Sequence, residues 1–486
     1  MIAALLALAL AASAAPDTLV VGTLSDPGDL APHGATDLVA AEIVANVCET
    51  LVRVRPGSLR PEGVLATAWA TPDQRVWTFT LREGVTFHDG ARLDADAVAA
   101  NLEHLRRERG FPGHATRIGP LVVEIALDQA NSALLSTLSQ PFFAMQSPRR
   151  LTGSPDLPVG TGPFRLASAK PGLVELAAFA GYWGGAPRIR QLVFRRFASE
   201  DALAQALADG AADVSAALSP ERAAELRASA SLTVDAQPGL GLTFLAVNNE
   251  RSPFSDVRVR RALSKAVDRA ALAREMLAGH AEPANAPLPP TLLGPDSRER
   301  ELTFDRDAAQ RLLADAHVPP GFEATLTVSR APRPYLLEPL RAAARIRDDL
   351  AQVGVALRLR EVETWSEQVA ITTRGDYELA LLGWRADTLD PNDFLTALLD
   401  SSSIGTTNRS RYRSEAMDGL LKRARQERAP GSRLALYRQA EDLAQNDLPL
   451  VPLYHSAVLT AYRREVSGLV IGPTGILRYD KAWKRP

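Results

Sequence analysis

Tyr377-Glu378-Leu379-Ala380-Leu381-Leu382-Gly383-Trp384-Arg385-Ala386-Asp387-Thr388-Leu389-Asp390-Pro391 runs an apolar strand into a tryptophan, a carboxylate and a turn. Tyr377 to Leu382 has the length and apolarity of a buried strand. Asp390-Pro391 forces a turn beyond it, because a residue before proline is pushed out of the helical region. Gly383 to Asp387 therefore lie at the carboxyl end of a strand, where open α/β sheets place ligands. Two readings stay open on these residues alone. Either Trp384 is core and Asp387 opens a loop, or the pair lines a binding cleft.

The 486 residues exceed one ordinary core and point to two or three lobes. Hydrophobic residues at 46% and charged residues at 23% describe a globular chain with ample core. The 55 basic and 57 acidic side chains are interspersed, for a net charge of -2. No basic face argues for nucleic acid, and no acidic tail argues for a polycation. Met1 to Ala15 carries no charged side chain and reads as a secretory signal, with Ala12-Ser13-Ala14 as the small-residue cleavage pattern. No Lys or Arg follows Met1, so either the charged region lies upstream or the α-amino group serves alone. Elsewhere nothing approaches the roughly 20 apolar residues of a membrane helix. The single cysteine, Cys48, sits well inside the mature chain on a predicted helix, and reads as a buried structural thiol rather than a lipid-bearing or nucleophilic one.

Along the chain, Leu19 to Leu24 is a first strand, and a helix follows from about Leu38 to Val52. Arg75 to Arg82 alternates like a half-buried strand, His88-Asp89-Gly90 turns it, and Asp94 caps a helix through Leu105. A second unit opens at Val159-Gly160-Thr161-Gly162-Pro163, which is no phosphate loop, since neither Lys-Ser nor Lys-Thr follows. Strands at 173–178, 191–196 and 242–247 with a helix at 200–209 read as βαβ-type material. A third unit holds helices around 260–277, 307–316, 337–353 and 414–429.

Catalytic and metal patterns with context are missing: no G-x-S-x-G, no H-E-x-x-H, no P-loop, no paired C-x-x-C, and no His pair at i, i+4 among the seven histidines. An enzyme, a cofactor and a bound metal are therefore not expected. A recognition site for a small zwitterion needs other things, namely a fixed anion for an ammonium group and a fixed guanidinium for a carboxylate. Arg330-Ala331-Pro332-Arg333-Pro334-Tyr335 offers the guanidinium, with Arg333 between two prolines and Tyr335 beside it to stack or hydrogen-bond. The plainer reading of Arg333 is a solvated loop arginine.

An ordered series of motifs resembles a known family. The pieces are Ala68-Trp69, then Trp77-Thr78-Phe79-Thr80-Leu81-Arg82-Glu83-Gly84-Val85-Thr86-Phe87-His88-Asp89-Gly90 with Asp94-Ala95-Asp96-Ala97-Val98. Gly160-Thr161-Gly162-Pro163-Phe164 and Tyr182-Trp183-Gly184-Gly185 follow. Last comes Pro253-Phe254-Ser255-Asp256-Val257-Arg258-Val259-Arg260-Arg261-Ala262-Leu263 with Asp268-Arg269. The chain is similar over nearly its whole mature length to the family 5 extracytoplasmic solute-binding proteins of ABC importers, the dipeptide- and oligopeptide-binding type.

The resemblance implies an α/β, bilobal periplasmic-binding-protein fold (class II, cluster C type) with three domains and a ligand cleft between lobes. Residues 1–14 would be signal peptide. Residues 15–40, 159–250 and 455–486 would form the lobe-one core, 41–158 an additional domain packed on it, and 251–454 lobe two. It further implies a periplasmic monomer that captures dipeptide-like peptides by hinge closure and delivers them to a membrane permease. Asp387, in the Gly-Trp-x-x-Asp spacing of Gly383, Trp384 and Asp387, would pair with the ligand ammonium. Arg333, in Arg333-Pro334-Tyr335, would hold the ligand carboxylate, with Trp384, Gly383 and Tyr335 lining the site. The loop at His33-Gly34-Ala35 would offer backbone from lobe one, although its residues differ from the family's. Other members bind nickel chelates, haem, glutathione or sugars, and an exported peptide hydrolase or a sensor are the readings from other classes.

Overall fold

The computed structural model describes residues 17–35, 37–54, 60–151, 157–293, 302–333, 335–386, 388–472 and 474–485. The expected signal segment lies outside the described residues. The described chain divides into two compact units, one formed by Pro238–Ala457 and the other by the segments on either side.

In the flanking unit, Thr18–Thr23 pairs in parallel with Gln191–Arg196, register Leu19↔Leu192. Gln191–Arg196, Leu173–Ala178 and Phe164–Lys170 then form an antiparallel meander. The expected βαβ pattern is thus only partly realised, because Leu173–Ala178 and Gln191–Arg196 run antiparallel and the connection over 179–190 carries no helix. A separate sheet runs Ala66–Ala70, Val76–Leu81, Val122–Leu127, Gly113–Gly119. Trp77, Phe79 and Leu81 are buried while Thr80 is exposed, as the alternation predicts. The helix Ala95–Arg109 belongs to the same core, capped by Asp94 Oδ1, which accepts from Ala97 N at 2.9 Å, and closed by Gly110 at φ 70°.

The glycine-rich stretch at 160–162 has a packing explanation. A Cβ on Gly162 would meet the Val47 carbonyl at 2.8 Å. Between those glycines Thr161 Oγ1 donates to the buried Glu49 carboxylate at 2.9 Å, joined by Tyr182 Oη at 2.9 Å and Trp183 Nε1 at 2.8 Å. Burial pushes the Glu49 carboxyl up, while those three donors hold it down. Cys48 is buried directly after the helix Leu38–Val47, which ends earlier than expected, and burial raises its thiol far above the ordinary value. His88-Asp89-Gly90 is a turn, as expected, with Gly90 at φ 80° and a His88 Nε2 to Gly162 O hydrogen bond of 3.0 Å.

The 238–457 unit carries the strands Val355–Val362, Phe322–Ser329 and Leu379–Arg385 in that order, followed by the portions of Leu232–Val247 and Leu450–Arg463 that fall within it. Phe322–Ser329 is parallel to both its neighbours, and Leu379–Arg385 is antiparallel to Leu232–Val247. Alternate residues of one strand enter two different cores. Leu379 and Leu381 join one cluster, Ala380 and Leu382 the other, which is why the strand reads as an unbroken apolar run. The helix expected over 260–277 is two, Val257–Ala266 and Arg269–Leu277, because Asp268 caps the second by accepting from Ala271 N. Pro430–Asp447 is an 18-residue helix that follows the helix expected over 414–429, with Pro430 in its first turn. Proline at a first helical turn initiates rather than interrupts.

Candidate ligand-binding site

The site residues named from the sequence fall in the 238–457 unit. Asp387 and Pro334 lie outside the described residues. Gly383 is buried in Leu379–Arg385 opposite Thr243. Its lack of a side chain is a requirement, since a Cβ there would overlap the ring of Tyr335. Gly241 lies beside the same tyrosine, where a Cβ would overlap the Ser456 side chain and come within ordinary contact, 3.4 Å, of Tyr335 Cβ. Thr243 Oγ1 donates to the Tyr335 carbonyl, so Tyr335, buried to 7% exposure, is clamped onto this bare patch of two strands.

Arg333 N donates to Leu336 O at 2.9 Å, and Leu336 N donates to Arg333 O at 2.8 Å. This closed turn fixes the Arg333 backbone. Its guanidinium Cζ stands 5.1 Å from the Trp365 ring centroid, within cation–π range, and beside the Tyr335 side chain. Arg333 Nε is buried with no hydrogen-bond partner among the described residues. Nearby Arg330 is spent on Glu361 and Glu363, the second at 3.3 Å, whereas no described carboxylate pairs with Arg333.

Trp384 is half-buried, and its Nε1 donates to Asp393 O at 3.2 Å, tying the strand end to the helix Pro391–Leu399. It is therefore packed against the core and also adjoins the strand end, so the two readings of this residue are not exclusive. Beyond position 387 the chain is held firmly. Asp390 caps the helix by accepting from Asn392 N at 2.9 Å and takes a buried two-pronged contact from Arg433, at 2.8 and 2.7 Å, with Tyr437 Oη accepting from the same guanidinium at 2.8 Å.

Burial raises the Tyr335 phenol pKa, and the guanidiniums of Arg333, Arg385 and Arg409 pull it the other way. Arg409 arrives from outside the motif segments. Its Nη1 donates to Val369 O at 2.8 Å, Thr372 Oγ1 at 2.9 Å and Thr373 Oγ1 at 2.7 Å, all on the helix Trp365–Arg374. Trp365, Arg409 and Arg433 carry no spacing signal that sequence reading could have used. The arrangement offers fixed positive charge beside an aromatic wall, which suits a carboxylate-bearing solute. Among the described residues, no group of three or more His, Cys, Asp or Glu side chains could hold a metal ion, and no helix is long and apolar enough to cross a membrane.

The model of the bacterial extracellular solute-binding proteins, family 5, matches residues 60–406, and the chain belongs to that family. It is 30% identical to a di/tripeptide-binding protein 2 from Pseudomonas aeruginosa, covering 96% of each chain. It is 29% identical to a glutathione-binding protein from Salmonella paratyphi A, covering 96% of this chain and 94% of the other. The solved structure of HbpA2 from Haemophilus parasuis superposes with a TM-score of 0.91 at 26% identity, over 96% of this chain and all of that one. The fold is the mixed α/β periplasmic-binding-protein fold of the cluster C type.

Proposed function

We propose that this protein is the solute-capturing component of an ABC importer, that it works outside the cytoplasmic membrane, and that its solute is a small peptide with free termini. The observation that carries this reading is Arg333: a guanidinium held by a closed turn, set against Trp365 and Tyr335, and left without a carboxylate among the described residues. In this reading it takes the ligand's carboxylate, while Asp387, which follows Ala386 in the sequence, takes the ammonium. A charged terminus removed from water costs several kcal/mol unless it is paired, so two fixed counter-charges select free termini and reject blocked ones. Ligand side chains need only fit hydrated space, which permits sequence tolerance. Relatives named for di/tripeptide and for glutathione binding, both peptides, support the size class.

The chain would retain its ligand unmodified, act as a monomer, and pass the ligand to a membrane permease after hinge closure at segments near Ala246 to Asn249 and Pro452 to Ser456. Native mass spectrometry of the purified protein tests this. Co-purifying masses of two- or three-residue peptides are expected. A non-peptide cargo, or hydrolysis of an added peptide, would overturn the reading.

A further inference from the structure

Arg330 and Arg333 lie three positions apart and meet different neighbours. Arg330 is engaged by the carboxylates of Glu361 and Glu363, whereas the Arg333 guanidinium carbon lies over the Trp365 ring, 5.1 Å from its centroid. A carboxylate occupies the N–H donors of a guanidinium, while an aromatic face attracts the same charge and leaves those donors open. Trp365 is placed for this contact by its own segment. It is the first residue of the helix Trp365–Arg374, which Thr364 caps by accepting from Glu367 N at 3.2 Å. Within the first turn, the buried Gln368 side chain donates to Thr327 O at 3.2 Å and to Leu381 O at 2.9 Å, which pins the helix to two neighbouring strands. Leu381 stands two residues before Gly383, the seat of Tyr335. One strand therefore fixes both aromatic neighbours of Arg333, Tyr335 through Gly383 and Trp365 through Gln368.

We infer that Trp365 is a positioning residue for the carboxylate end of the site, acting through Arg333 rather than by touching the ligand. This rests on the reading of Arg333 as the carboxylate anchor. A free arginine side chain samples many rotamers, and ordering it at the moment of binding costs affinity. Stacking on Trp365 sets the guanidinium beforehand without neutralising it. The gain therefore reaches only ligands that present a carboxylate to Arg333, and a peptide with a blocked carboxyl terminus draws nothing from it.

The test is calorimetry of the purified protein with Ala-Ala and with Ala-Ala amide, the amide also run as a competitor, read as the ratio of the two affinities. It is made on the wild type, Trp365→Leu and Trp365→Phe, with thermal denaturation to confirm folding. The wild type is expected to favour the free acid about tenfold or more, and Trp365→Leu to lower that ratio about threefold or more. Trp365→Phe, which keeps a weaker π face, is expected to lie between. An unchanged ratio in Trp365→Leu, including equal losses for both peptides as a purely structural role would give, overturns the positioning role and leaves the carboxylate reading standing. If Trp365→Leu does not fold, a lowered ratio in Trp365→Phe supports the inference and an unchanged one overturns it. Equal binding of acid and amide by the wild type, or binding of neither, overturns the carboxylate anchor and the inference with it.

Discussion

The ring of Tyr335 packs so closely on the bare backbone of Gly383 that a Cβ at position 383 would overlap it. The glycine of the Gly383-Trp384 pair is therefore a seat for the tyrosine that stands beside Arg333. Gly383→Ala should force Tyr335 off its platform and cost about 1–3 kcal/mol in stability, as overpacking does in other cores. Thermal denaturation will show the drop, and peptide affinity should fall with it because Arg333 loses its neighbour.

Asp390 and Arg433 are both buried, with side chains 3% and 8% exposed, and contact each other through two hydrogen bonds. Removing one partner strands the other charge. Asp390→Ala should cost about 3–5 kcal/mol by urea denaturation, more than loss of a helix cap alone. A loss near 1 kcal/mol, about the value of a cap, would mean the ion pair contributes little.

Burial pushes the Glu42 carboxyl up from 4.5 to about 8, although Tyr479 Oη donates to it at 2.5 Å. The folded state holds this proton more tightly than the unfolded chain. Its stabilising contribution is therefore complete below the unfolded value of 4.5 and is lost as pH rises towards about 8. Glu42→Gln should flatten the fall in melting temperature between those limits. Parallel pH profiles for the two proteins would show that Glu42 does not titrate in the window.

Much of this was legible in the sequence because its signals are local. Strand alternation at Val76–Leu81, the Asp94 cap and the apolar run into Gly383 each follow from a few neighbouring residues. Arg409, Trp365 and Arg433 were not legible, since Arg409 meets Val369, Trp365 meets Arg333 and Arg433 meets Asp390 only through the fold, and nothing in their own segments marks them. The two prolines around Arg333 pointed to a stiff loop, yet the described rigidity comes from the hydrogen-bonded pairing of Arg333 with Leu336. The 18-residue helix Pro430–Asp447 is absent from the sequence reading, and it opens on a proline in its first turn.

The proposed clamp has two ends, Arg333 for the ligand carboxylate and Asp387 for the ligand ammonium. Calorimetry of a dipeptide with free termini against the wild type, Arg333→Ala and Asp387→Ala tests it directly. Each substitution is expected to weaken binding at least about tenfold, or about 1.4 kcal/mol. Unchanged affinity in both variants would contradict the account.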